Sequence, residues 1–131
     1  MHPIVVLQGA LIAALRSDPA LVAIAGADGV FDAPPRDRAA PYLVIARHDV
    51  IQRDADAAAG QEHRVLIHCW SDQPSRKQAL LMAERVVAAI EGLAPTGLTV
   101  TSAAHVRTDT AVDGKTGLAR AAVTLRLLSE A

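Results

Sequence analysis

The sequence predicts an α+β fold in which a mostly antiparallel sheet of about four strands carries helices packed on one face. Helical spacing and capping residues mark three helical segments, and four extended segments form two pairs with a long helix between the pairs. Composition adds a constraint, because 51% of the 131 residues are hydrophobic but only 2% are aromatic. The core is therefore expected to consist of leucine, isoleucine and valine packed against alanine.

Two helices are predicted near the N-terminus. The first spans Pro3 to Arg16, where a proline in the first turn is tolerated. Its apolar positions at helical spacing are Val6, Ala10, Leu11, Ala13, Ala14 and Leu15. Ser17 or Asp18 supplies the N-cap of a second, short helix, which Gly26 ends.

The first strand pair follows a short extended stretch at residues 30–32 and a proline-rich segment, residues 33–41, that excludes regular structure. Tyr42 to Val50 and Gln61 to Ser71 are the predicted strands, and residues 53–60 are predicted to form a mobile loop or hairpin tip between them. In the second strand, Val65, Ile67 and Cys69 should face one side of the sheet and Leu66, His68 and Trp70 the other.

A long helix, about Pro74 to Glu91, is predicted to connect the two strand pairs, with Ser71 or Asp72 as its cap. Its apolar stripe consists of Ala79, Leu80, Ala83, Val86, Val87 and Ile90. Its charged residues Arg76, Lys77, Glu84, Arg85 and Glu91 are left to solvent.

The last strand pair is predicted at Leu98 to Arg107 and Ala119 to Leu127, with a polar loop at residues 109–117. Strict alternation in the first of these strands places Leu98, Val100, Ser102, Ala104 and Val106 on one side. In the final strand, Ala121, Val123, Leu125 and Leu127 should face inward and Arg120, Thr124 and Arg126 outward. The outward set indicates a sheet face without helices, which is a candidate for subunit contact or for lining a channel.

Charge and cysteine content exclude several kinds of protein. The formal net charge is -1, so no positive excess points to nucleic acid as the main partner. The single cysteine, Cys69, excludes an internal disulfide. Residues 1–7 are apolar but lack a basic leader, and Gln8 and Gly9 interrupt them. We therefore expect neither a signal peptide nor a membrane span, and a protein made in the cytoplasm.

The spacing of potential ligands and nucleophiles predicts no metal site, cofactor or catalytic residue. His63 and Cys69 share a strand face but lie six residues apart, roughly 20 Å at strand rise. His63 and His68 point to opposite faces. We expect Cys69 to be a small core residue and His68 to be hydrogen-bonded and half-buried.

Loop motifs and surface arginines are also interpreted as structural. Asp113-Gly114-Lys115-Thr116 is similar to the end of a phosphate-binding loop, but Asp109 replaces a required glycine and a strand follows. Asp54 and Asp56 could form a weak cation site, although alternating acids in a loop are usually only solvated. A basic surface could form from Arg36, Arg38, Arg47, Arg53, Arg107, Arg120 and Arg126, but the net charge favours ordinary surface positions.

Several short blocks occur in a characteristic order along the chain. They are Ala10 to Leu21, Gly29-Val30-Phe31-Asp32, Pro34-Pro35, Ala40 to Ile45, and Val65 to Ser71 before the long helix. In this order they resemble the tail-completion or tail-terminator family of long-tailed phages and gene transfer agents. The resemblance covers essentially the whole chain, which is interpreted as one tail-terminator-like domain, residues 1–131.

The resemblance implies a non-enzymatic α+β subunit of a hexameric ring at the head-proximal end of a tail tube. Such a ring binds the last ring of the tube, stops its growth and offers a docking face to the head connector. The implied partners are copies of the chain itself, the tail tube protein and head-tail connector proteins, with DNA only passing through the bore. The implied location is the neck end of the tail in a virion or phage-like particle.

Candidate contacts with other subunits or with the tube lie on the outward strand face and in the two polar loops. They are Arg53, Asp54, Asp56, Glu62, Asp113, Lys115, Arg120, Thr124 and Arg126. A bore lining that is not strongly basic would let DNA slide through.

Two alternatives stay open. One is another neck or head-closure component. The other is a small α+β ligand-binding domain or enzyme built on His48, His63, His68 or His105, which predicts a deep pocket with converging polar groups.

Overall fold

A computed structural model describes residues 1–55 and 58–130, with only the backbone described at positions 54, 55, 58 and 59. The elements are α1 (Pro3–Arg16), α2 (Pro19–Ala25), β1 (Val30–Phe31), β2 (Tyr42–Ala55), β3 (Ala58–Trp70), α3 (Arg76–Ala89), β4 (Thr99–Val112) and β5 (Ala119–Glu130). They form a five-stranded sheet of order β1-β2-β3-β5-β4. The predicted α+β class is confirmed, but the sheet is mixed because β1 runs parallel to β2.

The fifth strand, β1, was predicted only as a short extended stretch. Val30 and Phe31 pair with Leu43 and Val44, and the amide of Leu43 donates to the carbonyl of Gly29 over 2.8 Å. A Cβ at Gly29 would collide with the backbone of Ala25 at the end of α2. The absence of a side chain at Gly29 therefore lets the backbone that leads into β1 lie directly against the end of α2.

The bounds of α1 and α2 agree with the sequence, and the N-cap of α2 is Asp18, whose carboxylate accepts from the amide of Leu21 over 3.0 Å. The buried stripe of α1 differs from the prediction. It consists of Leu7, Leu11 and Leu15, each with no exposed surface. Ala13 is exposed, because the long leucine side chains, spaced four residues apart, take the side that reaches the sheet.

The predicted cap of the long helix, Ser71 or Asp72, is wrong. The helix α3 begins after Ser75, whose hydroxyl accepts from the amide of Lys77 over 3.2 Å. Ser71 is instead buried before the helix, where its hydroxyl donates to Gln78 over 2.6 Å and accepts from the amide of Gln73 over 3.0 Å. These bonds hold the connection from β3 into α3.

The buried face of α3 is also rotated relative to the prediction. Met82 has no exposed surface, whereas Leu80, assigned to the stripe, is 43% exposed. Arg85, which was expected in solvent, donates to both carboxylate oxygens of Asp18 over 3.0 and 2.7 Å. This ion pair joins α3 to the start of α2. The other buried residues of α3 are Ala79, Ala83 and Val86.

The predicted loop at residues 53–60 is largely strand. Ladder pairing continues through Arg53↔Gly60 and Asp54↔Ala59 to Ala55↔Ala58. The low strand propensity of aspartate and alanine suggested a loop. Main-chain hydrogen bonds between the ends of β2 and β3 outweigh that preference. Residues 56 and 57, including the candidate Asp56, lie outside the described residues.

The strand β4 is longer and less regular than predicted. It continues to Val112, so the predicted loop at residues 109–117 shrinks to a turn at residues 113–118. Bulges between Val100 and Ser102 and between His105 and Arg107 interrupt the alternation with β5. The predicted single face from Leu98 to Val106 is therefore wrong, and Val106 is 55% exposed.

The core lies between the helices and one face of the sheet. The predicted inward residues of β3 and β5 are confirmed, since Val65, Ile67, Cys69, Ala121, Val123, Leu125 and Leu127 all have no exposed surface. They share one apolar cluster with residues of all three helices. No single helix among the described residues is long and apolar enough to cross a bilayer, and the α1–α2 pair, which passes by length and composition together, is bent by 82°.

We expect Met82→Ala to lower the free energy of unfolding by about 2–5 kcal/mol, the usual cost of truncating a buried long side chain. Leu80→Ala is the matched control and should change it by less than about 1 kcal/mol, because that side chain is 43% exposed. Urea unfolding followed by circular dichroism measures both. Equal losses in the two variants would contradict the rotation of α3.

Candidate functional site

The sheet face opposite the helices, named the open face here, is built from alternate residues of the four long strands. Strand pairing places on it Arg47, Asp49, Ile51, Arg53, Glu62, Arg64, Leu66, His68, Trp70, Arg107, Asp109, Arg120, Ala122, Thr124, Arg126 and Leu128. Glu130, paired with Gly60, lies on this face as well, so the face has six arginines and four carboxylates, an excess of two positive charges, whereas the whole chain has a net charge of -1. The fold therefore gathers positive charge on this face.

The largest group of ion pairs on the open face is the Glu62 cluster, formed by Glu62, Arg53, Arg64 and Arg126. Arg64 donates through Nε to Glu62 Oε2 over 2.7 Å, and the Arg53 and Arg126 guanidinium groups each lie 3.1 Å from Oε1. Glu62 has no exposed surface, while the arginine side chains are 56%, 56% and 45% exposed in the order Arg53, Arg64, Arg126. The cluster has a net charge of two positive units.

Three strands supply these four side chains. Glu62 and Arg64 are neighbours on the same side of β3, and Arg126 lies directly across from Arg64 on β5. Hydrogen bonds from Arg64 and Arg126, then the positive charges of Arg126 and Arg53, lower the pKa of Glu62 to about 2. Desolvation raises the pKa of this carboxyl but is outweighed, since the arginines cover it at the sheet surface and not within the apolar core.

Two further groups of ion pairs flank the Glu62 cluster. On β2, Arg47 donates to Asp49 over 2.8 Å. On β4, Arg107 donates to Asp109 over 3.1 Å, and Arg120 of β5 lies 3.7 Å from the other oxygen of Asp109. The guanidinium of Arg120 also stands 6.0 Å from the centre of the Trp70 ring. Two of these ion pairs thus run along an edge strand, and Arg120 joins the pair on β4 to β5.

The predicted contact residues separate into two regions. Arg53, Glu62 and Arg126 meet in the Glu62 cluster. Arg120 and Thr124 lie on the same face of β5 as Arg126, nearer to the start of the strand. Asp113 and Lys115 lie in the turn between β4 and β5. Asp54 belongs to β2 by its backbone, and Asp56 is not among the described residues.

The turn between β4 and β5 is held by Asp113. Its carboxylate accepts from the amides of Lys115 and Thr116 over 2.7 and 3.4 Å, and its carbonyl accepts from the amide of Gly117 over 2.8 Å. Gly117 has φ +73, which a glycine adopts without strain. This geometry agrees with the interpretation of the Asp-Gly-Lys-Thr motif as a turn. Tyr42 at the start of β2 and Trp70 at the end of β3 lie beside it, so this turn and the paired residues Ala55 and Ala58 are at opposite ends of the sheet.

Sequence reasoning missed part of the open face. Arg64 was not considered, and Arg47 and Arg107 were interpreted as ordinary surface residues. The available signal was the period of two that places Glu62 and Arg64 on one side of β3. Their pairing with Arg126 depends on the register of β3 against β5, which no local pattern shows.

A second polar group lies on the helix side of the sheet, where α1 begins. His48 Nε2 and His63 Nδ1 are 2.8 Å apart, and His63 Nε2 is 3.1 Å from the hydroxyl of Ser129. His63 and Ser129 are buried, with 0% and 2% of their surface exposed. Burial, and then the charge of His63, lowers the pKa of His48 to about 4, and burial followed by the charge of His2 lowers the pKa of His63.

The remaining histidines and Cys69 lie elsewhere. His68 is half-buried on the open face, as predicted, and burial lowers its pKa. His105 is exposed on β4, where its ring is 2.7 Å from the hydroxyl of Thr108. Cys69 is fully buried, and desolvation raises the pKa of its thiol, so it is a core residue as predicted. Among the residues that the structure describes, no three His, Cys, Asp or Glu side chains are placed to hold a metal ion.

Comparison with known proteins identifies a family. The family model described as "Tail completion protein gp17" matches residues 9–130. Among solved structures, the chain is similar to one chain of a structure described as "Virion of native gene transfer agent (GTA) particle". The identity is 25% and the TM-score 0.86, and the match covers 98% of this chain and 97% of that chain. No curated protein matches the sequence significantly.

We expect Glu62→Gln to lower the free energy of unfolding at pH 7, because three guanidinium groups lose their shared anion. The pKa of Glu62 falls from 4.5 to about 2 on folding, so its contribution is present above pH 4.5 and lost as the pH falls through 2. The variant should lack this part of the acid transition. Glu91→Gln, at an exposed position after α3, is the control. Identical acid unfolding of Glu62→Gln and the unmodified protein would contradict this role.

Acidification should also act on the pair His48 and His63 in a higher pH range. The pKa of His48 falls from 6.5 to about 4 on folding, so stability present above pH 6.5 is lost between 6.5 and 4. His48→Gln should reduce the proton uptake on unfolding by about one proton in that range. Urea unfolding at a series of pH values measures this uptake. His105→Gln, at an exposed site, should keep the original pH dependence; an unchanged slope in His48→Gln would count against the burial of a neutral pair.

Proposed function

The chain belongs to the tail completion protein gp17 family, and we propose that it forms the ring that terminates the head-proximal end of a tail tube. Tail completion proteins are structural parts of phage-type particles, so this chain is a structural component of such a particle and not an enzyme. The proposed ring is a hexamer that stops tube growth and gives the head connector a docking face.

The observation that carries this proposal is the open face. Four long strands present one charged side with an excess of two positive charges, and the helices cover only the other side. A sheet with one polar, accessible side suits a subunit that turns this side toward a bore or a neighbour. The Glu62 cluster holds three of the six arginines of this side in ion pairs.

The two ends of the sheet suggest that contacts with the tube and contacts with the connector are made by different parts of the chain. The β2–β3 hairpin continues past Gly60, the last β3 residue that pairs with β5, and the turn that holds Lys115 is at the other end. If the strands run roughly along the axis of the ring, these ends face opposite sides of it. One end would then meet the last ring of the tube and the other the connector.

DNA in this proposal only passes through the bore. The open face would attract phosphates with its two net positive charges, but Asp49, Glu62 and Asp109 hold its arginines in ion pairs. Such pairing weakens the attraction for a polyanion and suits a lining along which DNA slides.

The proposal predicts that the purified chain, added to growing tail tubes of the same particle, shortens them and gives a six-fold ring at one end. Electron microscopy measures tube length and ring position, and light scattering measures the oligomeric state. A chain that neither shortens the tubes nor binds their ends would contradict the proposal. A ring located on the head side of the connector would favour a head-closure component instead.

The division of contacts predicts the effect of Lys115→Glu. This lysine is exposed and the turn is held by its backbone amide, so the fold should be unchanged. We expect the variant to impair either tube termination or head joining, but not both, by about tenfold or more. Lys77→Glu, exposed on α3, is the control. Full activity in both assays would exclude Lys115 from the contacts.

A further inference from the structure

Both outer long strands of the sheet have an edge without a strand partner among the described residues. The short β1 covers β2 only at Leu43 and Val44. Beyond Val44, no strand lies beside β2 on that side. On the other side of the sheet, β4 is the last strand over its 14 residues. Edge strands of this length offer main-chain donors and acceptors to another chain.

The exposed edge at β4 has the composition of a pairing strand. Its sequence is rich in threonine and valine and contains no proline or lysine. Residues 101–107 are all exposed, and Val106 and Val112 are 55% and 39% exposed. These features are those of a strand that a further strand completes.

The strand directions identify a partner for this edge. The order β2-β3-β5-β4 is antiparallel throughout, so β4 runs opposite to β2. A second copy, placed beside the first in the same orientation, brings its β2 next to the β4 of the first copy and continues the antiparallel order. Such a head-to-tail contact leaves one edge free at each end and can close into a ring.

The charges on the two edge strands match in this arrangement. Arg47 and Asp49 lie on the open face of β2, and Arg107 and Asp109 lie on the open face of β4. We propose that β4 of one copy pairs antiparallel with β2 of the next, with Arg107 opposite Asp49 and Asp109 opposite Arg47. This inference rests on the proposed ring and names the surface that closes it.

The same four charged residues disfavour other registers of β4 against β2. A shift of two residues places Arg47 opposite Arg107 in one direction and Asp49 opposite Asp109 in the other, which puts like charges together. A shift of one residue moves these side chains to opposite faces of the sheet. In the proposed register Val112, the last residue of β4, falls opposite Val44, which β1 already covers, so β4 can pair with β2 only past that residue.

Single chains keep the same charges in temporary pairs. Arg47 bonds Asp49 over 2.8 Å and Arg107 bonds Asp109 over 3.1 Å, each along its own strand. The two arginine side chains are 72% and 67% exposed, so they can turn to a neighbouring strand without loss of core contacts. Bulges between Ile45 and Arg47 on β2 and between His105 and Arg107 on β4 limit regular pairing to the short segments Arg47–Asp49 and Arg107–Asp109, where main-chain hydrogen bonds and opposite charges act together.

Charge reversal tests the proposed pairing. In a ring of Arg47→Asp alone, two aspartates face each other at every junction, and in a ring of Asp109→Arg alone, two arginines do. We expect each variant to occupy tube ends at least tenfold less often than the unmodified chain in electron micrographs. In an equimolar mixture, alternating copies place opposite charges at every junction, so occupancy should return. Loss in the single variants followed by recovery in the mixture separates the junction from any effect within one chain.

The matched control reverses charges on the helix side, with Lys77→Asp and Glu91→Arg at the two ends of α3. These variants should cap tubes normally, alone and mixed. A second measurement uses the double variant Arg47→Cys, Asp109→Cys, which should give disulfide-linked oligomers up to a closed ring after oxidation, because opposed residues lie close enough to cross-link. Cys69 is fully buried and does not compete.

The double variant Arg47→Cys, Ala104→Cys, which is out of register, should stay unlinked. Unmodified chains that form rings on tubes, without recovery in the mixture and without linkage between positions 47 and 109, would overturn the pairing and leave the proposed function intact. Unmodified chains that never bind tube ends would overturn both.

Discussion

Helices α1, α2 and α3 pack on the same side of the sheet, and this one-sided burial governs how the remaining residues are used. Leucines of α1 and alternate residues of β3 and β5 form an aliphatic core with no exposed surface. A chain with 2% aromatic residues cannot fill a thick core, so small alanines allow the helices to lie close to the strands. The opposite side of every strand then has to be polar or accessible.

The polar side is satisfied within the sheet itself. Glu62 has no exposed surface and would be costly there without cations, but three arginines from three strands bond it. Asp49 and Asp109 likewise hold arginines on the edge strands. The chain thus keeps a charged sheet face exposed while the arginines and carboxylates on it are paired.

Much of the fold was predictable because its signals are local. Capping and spacing gave α1 and α2 their bounds, and alternation assigned the two faces of β3 and β5 correctly. Errors arose where a partner decides the outcome. Which side of α3 is buried depends on its packing against α1 and the sheet, and Arg85 is drawn out of solvent by Asp18, which lies far away in sequence. The bulges of β4 depend on its register with β5. The alanines at the ends of β2 and β3 belong to strands because each lies opposite a residue of the other strand.

The sequence alone determined the α+β class, the aliphatic core, the core position of Cys69 and the outward direction of Arg120, Thr124 and Arg126, because each depends on a period of two or 3.6 residues. Its resemblance to tail-completion proteins also gave the family. Only the tertiary structure decided that Arg53, Arg64 and Arg126 converge on Glu62, that His48 meets His63, and that the charges of β2 and β4 lie on one open face. These depend on strand register, which is set by long-range pairing and by the burial of one face, and no local pattern encodes it.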